Sequence, residues 1–158
     1  MNILGIDPGY GRLGVAVVSL GSNGTITLVY AALIETPATQ HIADRLWTAQ
    51  QALAGIVMTY SPSAAGVETL YMAKNVKTAI GVAEARGAVL ALLASHAVPI
   101  LDITPNQVKL ALTGHGRAEK VQVRHMVERI LSRPSGITQD DVMDAIAIAI
   151  TAERLYRP

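Results

Sequence analysis

Residues 140–150 read Asp140-Asp141-Val142-Met143-Asp144-Ala145-Ile146-Ala147-Ile148-Ala149-Ile150, and the fold turns on whether this stretch is a helix or a strand. The strict alternation of Ala and Ile from 145 to 150 has the period of a strand. Composition argues the other way, because alanine favours helices and is depleted in strands. Thr138-Gln139-Asp140-Asp141 also resembles a capping box, with a hydroxyl at the cap and a carboxylate three residues on. The stretch is read as a helix from Asp140 to about Leu155, buried on most of its sides.

Upstream of it, the first third of the chain reads as strands. Ile3 to Ile6 is a short apolar run that stops at the turn cluster Asp7-Pro8-Gly9-Tyr10-Gly11. Leu13 to Leu20 is Val-rich, Gly21-Ser22-Asn23-Gly24 is a hairpin turn, and Thr25 to Ile34 is a third strand. Helix and strand then alternate. Helical spacing over residues 39–60 ends before Ser61-Pro62, and Ala64 to Val67 is a short strand leading into Glu68. Asn75 to Ala97 is a long helix, Pro99 to Ile103 a strand, and helices near Pro105–Leu112 and Ala118–Leu131 precede the last one. The order β-β-β-α-β-α-β-α-α-α predicts an α/β fold, a mixed five-stranded sheet with helices on both faces. With 158 residues and no linker or repeat, residues 1–158 are expected to form one domain.

A chain that is 51% hydrophobic and 16% charged is not disordered as a whole. No apolar run reaches the roughly 18 residues of a membrane-spanning helix. Met1-Asn2-Ile3-Leu4-Gly5 shows no basic start or cleavage site of a secretory signal. The absence of cysteine excludes disulfides, thiolate zinc sites and cysteine nucleophiles, and suits a reducing cytoplasm, the expected location. Net charge is only +1, yet residues 71–134 hold nine basic residues (Lys74, Lys77, Arg86, Lys109, Arg117, Lys120, Arg124, Arg129, Arg133) against the four acids Glu84, Asp102, Glu119 and Glu128. A basic middle hints at a polyanionic partner.

Four acids stand out by context. Asp7 ends the first apolar strand, Glu68 follows another, and Asp141 and Asp144 open an apolar helix. Residues three apart on a helix are separated by roughly 60° around the axis and ~4.5 Å along it, so both can face one spot. Charges beside buried segments are costly unless compensated. A divalent cation would compensate them, and oxygen-only ligands select a hard ion such as Mg²⁺ or Mn²⁺. Any one of these acids alone reads as a turn or helix cap; the four together favour the metal reading.

The chain resembles the RuvC family of bacterial Holliday-junction resolvases. Gly5-Ile6-Asp7-Pro8-Gly9, Glu68 followed by Tyr71-Met72-Ala73-Lys74-Asn75, Glu84-Ala85-Arg86-Gly87, Pro105-Asn106-Gln107-Val108-Lys109, Ala118-Glu119-Lys120 with Gln122-Val123, and Asp141-x-x-Asp144-Ala145-x-Ala147-Ile148 carry the likeness from residue 1 to about 152. It implies an RNase H-like fold and a homodimeric, Mg²⁺-dependent endonuclease that nicks two opposed strands of a four-way DNA junction. Asp7, Glu68, Asp141 and Asp144 would be its catalytic carboxylates, holding two Mg²⁺ ions, with Mn²⁺ a possible substitute. Lys109 and Lys120 fall on the family's DNA-contacting basic positions, and Tyr71 on its base-stacking aromatic, where Phe is frequent; a tyrosine ring can also stack on a base. Lys74, Lys77, Arg117 and Arg124 are further candidates for phosphate contact from the basic middle. Association with RuvA and RuvB is implied by the family alone.

Other residues have ordinary readings. The four histidines are structural or superficial, Trp47 is core or interface, and Gly81 and Gly87 inside a helix mark close packing on a neighbour or a dimer partner. Asp140 is a cap or a supporting carboxylate. Three other functions compete: an actin-like phosphotransferase, suggested by Asp7-Pro8-Gly9-Tyr10-Gly11-Arg12-Leu13-Gly14 but lacking room for a second lobe; a catalytically silent nucleic-acid binding module; and an RNA-processing nuclease on the same fold.

Overall fold

A computed structural model describes residues 1–69, 76–131 and 136–157, with the backbone alone for 76–78. The elements run β1 (Asn2–Pro8), β2 (Arg12–Leu20), β3 (Ile26–Glu35), α1 (Ile42–Tyr60), β4 (Ala64–Glu68), α2 (Val76–Ser95), β5 (Ile100–Ile103), α3 (Pro105–Thr113), α4 (Lys120–Ile130) and α5 (Asp140–Leu155). One five-stranded sheet has the order β3-β2-β1-β4-β5. The first three strands form an antiparallel meander, and β4 and β5 add parallel to β1 through helical crossovers. The expected mixed sheet is therefore present.

The two faces of β1 show how the layers are built. Ile3 packs with α3, α4 and α5, whereas Leu4 and Ile6 pack with α1 and α2. Alternate residues of one strand thus feed opposite cores, as the period of two requires. On the first face lie Val108 and Leu112 of α3, Val123 and Val127 of α4, and the whole apolar run of α5; on the second lie Leu53 and Ile56 of α1 and Val89 and Leu93 of α2. Helices occupy both faces.

Residues 145–150 are helical, and all six are 0–1% exposed. α5 lies between the sheet and the α3–α4 pair, so its every side meets protein and no amphipathic period is needed. Its docking is close. A Cβ on Gly5 of β1 would strike the Ala145 carbonyl, one on Gly14 of β2 the Asp141 carbonyl, and one on Gly66 of β4 the Cβ of Ala152. Glycine at these places lets the helix backbone rest on the sheet.

The capping box expected at 138–141 does not form. The N-cap of α5 is Gln139, without a side-chain cap bond, and the Asp141 carboxylate is drawn instead to Arg12. Capping boxes do open α3 (Thr104 with Gln107) and α4 (Glu119 with Gln122). Trp47 is 63% exposed and so is not a core residue. Gly81 packs against the Tyr10 ring, while Gly87 has no atom within reach of a Cβ among the described residues. Among the described residues no helix is long and apolar enough to cross a membrane.

Candidate active site

Asp7 and Glu68 stand near the carboxyl ends of two adjacent parallel strands, where the β1–β4 ladder closes at Ile6 and Val67. In open α/β sheets this edge is where functional groups gather. Asp141 and Asp144 lie in the opening turns of α5, which rests on the same edge because Gly14 admits the Asp141 backbone. Three elements therefore bring four carboxylates together.

Their electrostatics record the crowding. The Asp7 and Glu68 carboxyl groups lie within reach of each other, and each shifts the other's proton affinity. Burial, then the Glu68 charge, then Asp144 and Asp141 push Asp7 up to about 8. Burial also raises Glu68, with Asp144 adding to the rise while the bond to Asp7 and the Lys120 charge oppose it. Asp144 is raised by burial, against the pull of Lys120.

Two basic side chains reach into this negative field. Arg12 Nε lies 2.8 Å from Asp141 Oδ2 and 3.7 Å from Glu35 Oε1. Lys120 Nζ lies 2.8 Å from Asp144 Oδ2 and 3.6 Å from Asp140 Oδ2. Burial works to lower the Lys120 pKa, but the hydrogen bond and charge of Asp144, with Asp140, raise it on balance. Among the described residues no three His, Asp or Glu side chains close on a single point, and two of the four carboxylates are paired with Arg12 and Lys120. The donor set nevertheless fits a hard cation: it is oxygen only, it is partly buried, and burial with mutual repulsion raises Asp7, Glu68 and Asp144 above the usual carboxylate range.

The expected DNA-binding residues divide. Lys109 and Lys120 border, with Glu68 and Asp144, a groove of about 270 Å³ floored by Val108, Val123, Ala147 and Ile148. Arg117 is exposed between α3 and α4, with its backbone N–H donating to His115 Nδ1. Arg124 is turned inward: its Nε meets Glu128 at 3.3 Å and its Nη2 donates to the Ile137 carbonyl at 2.5 Å. That arginine joins α4 to the approach to α5 and leaves less of its charge for a phosphate. Tyr71 and Lys74 lie outside the described residues, as does the side chain of Lys77.

The sequence reading passed over three arginines. Arg12 sits on Asp141. Arg86 donates from Nε to the Glu68 carbonyl at 3.0 Å. Arg45 is 5% exposed, donates to Thr36 Oγ1 at 3.2 Å, and stacks 4.5 Å from the centroid of the Tyr10 ring. Since Tyr10 also covers Gly81 of α2, Arg45 and Gly81 hold the turn that follows Asp7 from two sides. Isolated arginines carry no periodic signal; Arg86, within Glu84-Ala85-Arg86-Gly87, and Arg12, within the loop after Asp7, stood in quoted motifs, but neither motif named a partner.

Comparison with known proteins identifies the family. The sequence profile of the family Crossover junction endodeoxyribonuclease RuvC matches residues 3–152. The protein of that name from Petrotoga mobilis is 42% identical over 149 residues, covering 94% of this chain and 91% of its own. The solved structure of Thermus thermophilus RuvC in complex with Holliday junction substrate superposes with a TM-score of 0.91 at 31% identity, covering 97% of this chain and 93% of that one. The yeast mitochondrial Holliday junction resolvase, at 14% identity and a TM-score of 0.72 over 96% of this chain and 77% of its own, shares the fold alone. The fold is RNase H-like. From its profile, its identity to relatives over nearly the whole length and its backbone, the chain belongs to the RuvC family of crossover junction endodeoxyribonucleases.

Proposed function

We propose that this chain resolves four-way DNA junctions in recombination and repair, as a homodimer that nicks two opposed strands by metal-dependent phosphodiester hydrolysis. The observation that carries the reading is the convergence of Asp7, Glu68, Asp141 and Asp144 at one sheet edge beside a groove bordered by Lys109 and Lys120. Mg²⁺, with Mn²⁺ as a substitute, two ions per site, supplies when bound an activated water and charge stabilisation of the leaving oxygen. Asp7 and Glu68 would hold the ions as carboxylates. Asp141 and Asp144 complete the set as Arg12 and Lys120 turn to phosphate. Lys109 and Lys120 hold the backbone of the nicked strand, with Lys74, Lys77, Arg117 and Arg124 along the arms and Tyr71 at the crossover. Two symmetry-related sites explain selectivity for a branched substrate, since only a junction meets both at once. A branch-migration complex of RuvA and RuvB, in the cytoplasm, would deliver it.

The test is cleavage of a labelled four-way junction, a linear duplex and a single-stranded RNA, each with Mg²⁺, with EDTA and with Asp7→Asn protein. Paired nicks in the junction alone, lost with EDTA or Asp7→Asn while gel-shift binding persists, are expected. Cleavage of RNA instead would discard the substrate; no cleavage in Mg²⁺ or Mn²⁺ would leave a binding module.

A further inference from the structure

Glu68 is the last residue of β4, and the ladder joining β4 to β1 ends at the pair Ile6–Val67, one residue before it. On the other side β4 stays paired with β5 as far as Glu68 and Ile103, and the Thr69 N–H donates to the Ile103 carbonyl at 2.8 Å. Towards β1, the main chain of Glu68 therefore lies past the end of the ladder. Arg86 of α2 reaches this point. Its Nε–H donates to the Glu68 carbonyl at 3.0 Å, and its Nη2 donates to the carboxylate of Asp102 on β5. The Arg86 side chain is 18% exposed and that of Asp102 is 64% exposed.

We infer that Arg86 is a positioning residue for Glu68, clamping the peptide after it so that its carboxylate faces Asp7. A carbonyl held in place fixes the peptide plane and with it ψ of Glu68, which sets where the side chain leaves the strand. Bonds from a charged donor are shorter and stronger than neutral ones. The planar guanidinium fork serves both acceptors at once, the carbonyl through Nε and Asp102 through Nη2, which a lysine ammonium cannot do in the same geometry. The ordinary alternative is an ion pair between α2 and β5, and with Asp102 this exposed such a pair is worth little. The two readings differ in which bond matters.

The inference rests on Glu68 being a catalytic carboxylate, so Glu68→Gln is the reference variant. Arg86→Met, Arg86→Lys and Asp102→Asn are compared with it in the full chain. Four quantities are read: junction binding by gel shift in EDTA, single-turnover cleavage of bound junction, Mn²⁺ binding to DNA-free protein by EPR, and melting temperature. Arg86→Met is expected to slow cleavage by about 10- to 100-fold, the scale of a small misplacement at a reacting centre, with junction affinity held within about twofold. Its Mn²⁺ affinity falls with the rate. Asp102→Asn loses the ion pair but keeps the bond to Glu68, so its rate stays near wild type. Arg86→Lys stays slow, and it replaces Arg86→Met if the latter does not fold. Wild-type cleavage by Arg86→Met or Arg86→Lys, or equal slowing by Asp102→Asn, overturns the positioning role. Wild-type cleavage by Glu68→Gln overturns the catalytic reading of Glu68 instead.

Discussion

Lys120 Nζ is 2.8 Å from Asp144 Oδ2, so one carboxylate of the site already holds a cation from the chain itself. Lys120 is bound to an acid in the free protein, and if it holds phosphate as proposed, substrate binding would be tied to release of Asp144. Lys120→Met is expected to separate the two effects. Junction affinity falls and the slope of log affinity against log salt drops by about one. Mn²⁺ binding to the DNA-free protein tightens, because the competing ammonium is gone. Unchanged metal affinity would show that the ion pair does not restrain the site.

Asp7→Asn keeps the shape of the side chain and removes its charge. Cleavage should fall by at least about 10²-fold, the scale of losing one electrostatic partner of the transition state, with junction binding little changed. The metal-free variant should also melt higher than wild type, because burial and three neighbouring carboxylates raise Asp7. A lower melting temperature would mean that the bond to Glu68 outweighs the repulsion.

The pH dependence follows from the same group. The native state keeps a proton on Asp7 up to about 8, while an unfolded aspartate loses it near 4. Between those values the folded protein binds more protons, so metal-free stability falls as pH rises. Thermal unfolding in EDTA at pH 5, 6, 7 and 8 should show a declining melting temperature, flattened in Asp7→Asn. Metal competes with that proton, so Mn²⁺ affinity of the DNA-free protein should rise with pH over the same range. A metal-free melting temperature independent of pH would remove the argument.

Gly81 and Gly87 sit in one helix and should answer alanine differently. A methyl at 81 runs into the Tyr10 ring, so Gly81→Ala is expected to cost about 1–3 kcal/mol by overpacking, and Tyr10→Ser should relieve it. A methyl at 87 meets nothing among the described residues, so Gly87→Ala should gain up to about 1 kcal/mol of helix propensity in an isolated chain. Sedimentation reports whether the gain comes with a loss of dimer, which would place a partner helix over position 87.

Local chemistry made most of the fold readable. The succession of strands and helices, the Gly21–Gly24 hairpin and the helical character of the Ala–Ile run all follow from residues near one another in sequence. The alternation at 145–150 misleads only if one-sided burial is assumed; the α3–α4 pair covers the side that a period of 3.6 would have left polar. The four acids were readable because each breaks an apolar context. Arg12 on Asp141, Arg86 on Glu68 and Arg45 on Tyr10 were not, since a side chain's distant partner leaves no trace in the spacing around it. The expected cap at Thr138 failed for the same reason: Arg12 offers Asp141 a full charge where the cap offers one amide.

The seating of α5 on Gly5, Gly14 and Gly66 means that the gap between the β1 acid and the two helix acids is set by main chain against main chain. Packing of that kind has no slack, since a sliding helix would drive carbonyls into the sheet. The repulsion among the carboxylates has no mechanical outlet, and only imported positive charge or retained protons can relax it. The scaffold is a fixed-jaw gauge: an ion that enters the proposed site would have to match it in charge and size, because the jaws cannot open to suit it.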